Sequence, residues 1–140
     1  MEPNARRLPV SLLALRIGIA IVMLVWSADK LLRPEHAAGI FGTFYALPGL
    51  GEAVFYVLGA LQLLIVLAFL AGAWRTWTYG AILAMHTVST LSSFRQYLAP
   101  FEGPNILFFA AWPMLAACLA LFLLRREDTL LSAAAGNRSG

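Results

Sequence analysis

Charge is what this sequence has least of. Lysine, arginine, aspartate and glutamate make up 12% of its 140 residues, whereas a soluble globular domain carries roughly 25%. With 61% of the residues apolar, too little polar surface remains to face water, which excludes an ordinary soluble domain. Cysteine is almost missing as well. The lone Cys118, inside an apolar run, rules out an intrachain disulfide framework, a C-x-x-C redox pair and a cysteine metal cluster. The basic residues are scattered despite a net charge of +3, so no face for nucleic acid emerges. There is no Ser-His-Asp arrangement, glycine-rich phosphate loop, carboxylate dyad or metal-spaced cluster. Hydrolysis and phosphoryl transfer therefore have no residues to perform them, and the chain is not expected to be catalytic alone.

What the sequence has instead is long apolar runs. Residues 8–28 contain one charge, Arg16, while 53–73, 76–94 and 106–124 contain none. Each is close to the roughly 20 residues that a helix needs to cross the hydrocarbon core. Without a two-residue alternation, such runs are helices and not barrel strands. The expected fold is an all-α membrane protein, a single domain over 1–128 with four transmembrane helices in an antiparallel bundle, followed by a flexible cytoplasmic tail over 129–140. The first run is read as a retained helix and not a cleaved signal, because it carries Arg16 and has Trp26 where cleavage after Ala28 would want a small residue.

The few cations give an orientation. Arg6, Arg7, Arg75, Arg125, Arg126 and Arg138 fall on one side, and Lys30, Arg33 and Arg95 on the other. The positive-inside rule then places both termini in the cytoplasm of a bacterial-type inner membrane. Trp74 and Trp77 flank a short turn between the second and third runs, as interfacial aromatics do. In the first outer loop Pro34 can start a helix, and Ala37, Ile40, Phe41, Phe44 and Tyr45 recur at three- and four-residue spacing. A short amphipathic helix lying on the outer surface is expected there.

Polar groups inside the spans carry the remaining chemical information, because lipid makes them costly. Arg16, Ala20, Met23, Ser27 and Lys30 fall on nearly one face of the first helix. Tyr79, His86, Thr90, Ser93 and Tyr97 form a polar stripe on the third, with Ser89 beside it, while Gln62 lies mid-span on the second and Asn105 opens the fourth. Two readings stand open. In one, these groups are interhelical hydrogen-bonding glue. In the other, Ser27, Asp29, Lys30, Gln62, His86, Thr90, Ser93, Arg95 and Asn105 form a polar pocket open to the outer face, with Arg16 continuing the same stripe. A haem would want a second axial ligand that the distant His36 does not offer. A neutral His86 hydrogen-bonded to a quinone carbonyl fits better.

The segments LALRIGIAIVMLVWSADKLLRP (13–34), GALQLLIVLAFLAGAWR (59–75) and PNILFFAAWPMLAACLALFLL (104–124) together resemble the DoxX family of small four-helix membrane proteins. Arg16, Lys30, Gly72, Arg75 and Asn105 match its pattern, while Gln62 stands where the family usually has glutamate. The resemblance implies an accessory membrane subunit of a redox, detoxifying or metalloenzyme-maturation system, such as a thiosulfate:quinone oxidoreductase. No intrinsic cofactor is expected, but a bound quinone is, together with a protein partner or a second copy of the chain. Alternatives are a small-molecule or lipid-binding or transport protein using the same pocket, and a purely structural membrane subunit.

Overall fold

The computed structural model describes residues 3–133. A 3-10 turn, Pro3–Arg6, leads into α1 (Arg7–Leu32), α2 (Pro34–Phe44), α3 (Glu52–Leu70), α4 (Arg75–Ser92) and the short α5 (Phe94–Leu98). A 3-10 segment, Asn105–Ala110, then runs directly into α6 (Ala111–Leu123). Every regular element among the described residues is helical. This is the arrangement in which an apolar segment satisfies its own backbone hydrogen bonds without water.

Three stretches are long and apolar enough to cross a membrane: Arg7–Leu32, Glu52–Leu70 and Asn105–Leu123, with mean hydropathies of 2.4, 2.5 and 2.4. The third expected span is a helix too, but α4 has only 18 residues and carries Arg75, His86 and seven hydroxyl side chains, so it is the most polar of the long helices. It stops at Ser92, two residues short of the expected end. The fourth span departs from regular α geometry over its first six residues. Pro113 has no N–H to offer the carbonyl four residues before it, and the preceding turn tightens, with the Leu107 N–H donating to the Pro104 carbonyl at 3.0 Å. The surface helix expected after Pro34 is present as α2, with Pro34 at its start and Ala37 buried.

The four long helices close a ring of contacts, in which α1 and α4 each pack on both α3 and α6. Leu12, Ile19 and Met23 of α1 meet Val66 and Phe69 of α3, Tyr79 and Ile82 of α4, and Leu121 of α6 in one continuous core. Gly59 brings α3 against α1 so tightly that a Cβ there would lie 2.9 Å from Leu31 Cγ. Small residues let helix backbones approach in this way, and in lipid that close packing is the main source of association. Val25, Val57, Leu64 and Trp77 point outward and are more than half exposed, as side chains that face lipid do.

A flexible segment was expected from 129, yet residues 130–133 fold back across the end of the ring. The Ala133 N–H donates to the Ala71 carbonyl at 2.7 Å, and Ser132 Oγ donates to the Gly72 carbonyl at 3.2 Å. Residues 134–140 of the expected tail lie outside the described residues.

Candidate functional site

The polar residues picked from the sequence separate into two groups at opposite ends of the ring. The first is built on Arg16, whose side chain is fully buried. Its Nη1 lies 3.3 Å from the Asp128 carboxylate and donates to Tyr79 Oη at 3.2 Å, and its Nη2 donates to the carbonyls of Leu130 and Leu131 at 2.6 and 3.1 Å. Tyr79 Oη in turn donates to Asp128 Oδ2 at 2.5 Å. Arg75 holds the same segment from the side, donating to the carbonyls of Arg125 and Asp128 at 2.7 and 2.9 Å.

Arg16 is therefore not part of the outer pocket to which the helical stripe assigned it. A buried guanidinium needs a counter-ion and acceptors for its several donors; the chain that returns after α6 supplies the counter-ion and two carbonyls, while Nε is left without a partner among the described residues. The sequence reading placed Tyr79 on the polar stripe of the third helix but not beside Arg16, and it missed Asp128. A signal for Asp128 existed: in the orientation read from the cations, few acids fall on the side from which Arg16 is entered, and Glu127 and Asp128 directly follow the last span.

Three cavities open between the helices toward the opposite end, one of them running back along α1 as far as Ala14 and Leu15. The largest, about 800 Å³, lies among α1, α3, α4 and the loop after α2, with Lys30 and Gln62 on its wall. A second, about 650 Å³, lies between α1, α4 and the start of α6, with His86 and Ser93 on its wall. A third of about 260 Å³ lies under α2, with Asp29, Lys30 and Ser93. Trp26 and Ser89 contribute to the walls of all three. Trp26 also stacks on the His86 ring, with centroids 6.0 Å apart. The single outer pocket of the sequence reading is thus several chambers sharing one wall. Trp26 and Ser89 were not among its predicted residues, although Trp26 precedes Lys30 by one helical turn and lies on the same stripe.

Not every predicted residue reaches a cavity. Ser27 Oγ donates to the Met23 carbonyl at 2.8 Å and Thr90 Oγ1 to the His86 carbonyl at 2.7 Å, so both buried hydroxyls are satisfied by their own helix. Such bonds compete with a ligand for the only proton each hydroxyl has. Arg95 is exposed and lies 5.8 Å from the Phe94 ring centre. Asn105 donates through Nδ2 to the Ala99 carbonyl at 2.9 Å, closing the loop that follows α5.

Lys30, Gln62 and His86 remain facing cavities, as does Ser93, although its Oγ also donates to the Ser89 carbonyl at 3.3 Å. No protein-family model matches the chain, and no curated protein or solved structure shows significant similarity to it. The chemistry of these four residues is therefore the ground for a functional reading.

His86 is the most constrained of them. Its Nε2 lies 3.0 Å from the Ala111 carbonyl. A carbonyl only accepts, so Nε2 carries the proton and, in the neutral imidazole, Nδ1 is left with a lone pair. That Nδ1 is buried and has no partner among the described residues. Asp29, by contrast, is fully engaged, with Arg33 Nε at 2.8 Å and His36 Nδ1 at 2.8 Å. This cluster ties the end of α1 to the beginning of α2.

Proposed function

We propose that this chain is a DoxX-like integral membrane protein with four crossings and both termini in the cytoplasm, an accessory subunit that holds a quinone-class ring for a membrane redox partner. The observation that carries the ligand is the His86 cavity. It is lined by Leu15, Ile19, Val22, Leu107, Phe108 and Met114, with one unpaired ring nitrogen buried beside it. A volume of about 650 Å³ falls within the range of pockets that enclose a small organic molecule, and a mostly apolar wall with few polar groups is their usual composition.

The tautomer sharpens the expectation drawn from the sequence. With its Nε2 proton committed to Ala111, His86 has nothing to donate to a quinone carbonyl. Its Nδ1 accepts instead, so a ring hydroxyl is the complementary group, and the reduced quinol is favoured over the quinone. When bound, such a ring supplies electrons and protons to a partner. The chain's own contribution is to orient it against Trp26 and His86 and to keep water away from it.

Four crossings are supported by the ring of four long helices and by the cations Arg75, Arg125 and Arg126 gathered at one end. The closure of that same end by Arg16 and Asp128 supports cavities that open on one side only, and speaks against a polar lane through the bundle. The test is to purify the intact protein in mild detergent and identify what it retains by mass spectrometry. A quinone or quinol recovered with the wild type and lost in His86→Leu, with the fold intact, is the expected result. Recovery of ordinary phospholipid alone would refute the reading, as would tighter binding of the quinone than of the quinol.

A further inference from the structure

We propose that the 800 Å³ cavity is a separate binding site for a single-chain amphiphile with an anionic head, such as a long-chain carboxylate, held by Lys30 and Gln62. This goes beyond the quinol reading, since it concerns a different chamber and a different chemistry. Three observations carry it.

The first is an ammonium group without a counter-ion. Lys30 is half-buried on the wall of the cavity, and its closest polar neighbour is the Trp26 carbonyl of its own helix, at 3.5 Å. The carboxylate next to it in sequence does not serve, because Asp29 is already paired with Arg33 and His36. Among the described residues no other acid pairs with Lys30. A cation set against an apolar wall is costly unless an anion meets it.

The second is an unpaired amide. Gln62 is 9% exposed, and its side chain makes no hydrogen bond among the described residues, yet it forms part of the cavity wall. Its amide therefore has its hydrogen-bonding capacity free for what occupies the cavity. It sits one helical turn deeper than Gly59, where α3 touches α1 at Lys30 and Leu31. The two polar groups therefore lie near one another, Lys30 toward the end of α1 and Gln62 toward mid-span. One carboxylate can accept from both.

The third is the shape of what remains. Beyond these two groups most of the wall is apolar, with Met23, Leu58, Leu61, Ile65, Met85 and Val88 offering a surface that suits an alkyl chain, while the hydroxyls of Tyr45, Ser89 and Ser92 that also line it are engaged in hydrogen bonds within the protein. Tyr45 donates to Ser89 Oγ at 3.3 Å across the mouth, tying the loop after α2 to α4. The head thus enters where Lys30 reaches the interface, and the chain extends toward the middle of the membrane. Cations near helix ends reach for anionic groups at this depth.

The experiment uses the full chain in a neutral maltoside detergent, with no quinone present. A fluorescent polyene fatty acid is titrated in, and energy transfer from tryptophan is read. Palmitate and hexadecanol then compete for the site. Competition by palmitate at least tenfold stronger than by hexadecanol is expected. In Lys30→Met the acid and the alcohol should compete about equally, while Lys30→Arg should keep the preference. Equal competition in the wild type, or a preference unchanged in Lys30→Met, overturns the proposal. Phosphatidylglycerol serves as a further competitor, and displacement by it but not by palmitate would assign the site to a two-chain lipid and overturn the single-chain reading. Leu58→Trp, which fills the cavity from α3, should abolish probe binding. His86→Leu should leave it intact, which keeps this outcome distinct from the fate of the quinol site.

Discussion

Replacing Asp128 by alanine should be among the most destabilising single changes available in this chain. The substitution leaves a guanidinium with no exposed surface facing two backbone carbonyls and a tyrosine hydroxyl, with no other acid paired to it among the described residues. Removing one partner of a buried pair costs about 3–5 kcal/mol, because the other charge stays behind uncompensated. Here the loss falls toward the lower figure, since Arg16 keeps its bonds to Leu130 and Leu131 at 2.6 and 3.1 Å. For a chain of this size about 3 kcal/mol corresponds to a melting point lower by roughly 10 °C.

The single cysteine is a built-in reporter: Cys118 is 2% exposed in the core, so a thiol-reactive dye labels it only when the helices part. Heating purified protein with such a dye gives the midpoint directly. The double variant Arg16→Met with Asp128→Leu should recover much of the loss, because it removes both charges together. Its departure from additivity should reach about 1–3 kcal/mol. If Asp128→Ala melts within about 2 °C of the wild type, or if the double variant is simply additive, the pair does not lock the end of the bundle and the reasoning fails.

Gly72 has φ +68° and a Cβ there would sit 2.7 Å from Arg16 Nη1, so Gly72→Ala should cost more than about 1 kcal/mol and lower the Cys118 labelling midpoint. Gly59→Leu should push α1 off α3 at Leu31 and cost about 1–3 kcal/mol, measured the same way; a neutral result would mean the two helices are not in contact there. Cysteines introduced at Trp74, which is exposed in the turn before α4, and at Gly103 in a Cys118→Ala background should be labelled by an impermeant maleimide from opposite faces of the membrane. Labelling from the same face would show that α4 does not cross. Tyr79→Phe removes one donor to Asp128 and one acceptor for Arg16, and should cost about 1–3 kcal/mol while leaving fatty-acid competition unaltered.

How much of this was legible in advance differs between the two ends of the molecule. Apolar run length located the helices to within a few residues, because in lipid the backbone has no alternative to helix. It did not foresee the irregular start of the last span, where Pro113 withholds an N–H, nor how polar α4 is beside its neighbours. Helical periodicity grouped Arg16 with Lys30 correctly on one face, but a stripe records direction around an axis and not the neighbours met along it. Arg16 meets the returning chain after α6, and Lys30 meets a cavity. Ser27 and Thr90 were selected as polar and buried, and they are, but their hydroxyls are consumed by carbonyls one turn earlier. Which protons are already committed is set by local geometry that residue type alone does not reveal.

The lock between Arg16 and the final turn also bears on how the protein is made. A ribosome delivers the arginine 114 residues before Leu130, one of the carbonyls that will hold it. Throughout most of synthesis the first helix must therefore enter the bilayer with a charge whose partners do not yet exist. A nascent chain in that condition is held short of its final packing until Asp128 emerges. Chains that stop early keep a buried, unanswered cation, which is a chemical mark by which unfinished copies differ from finished ones.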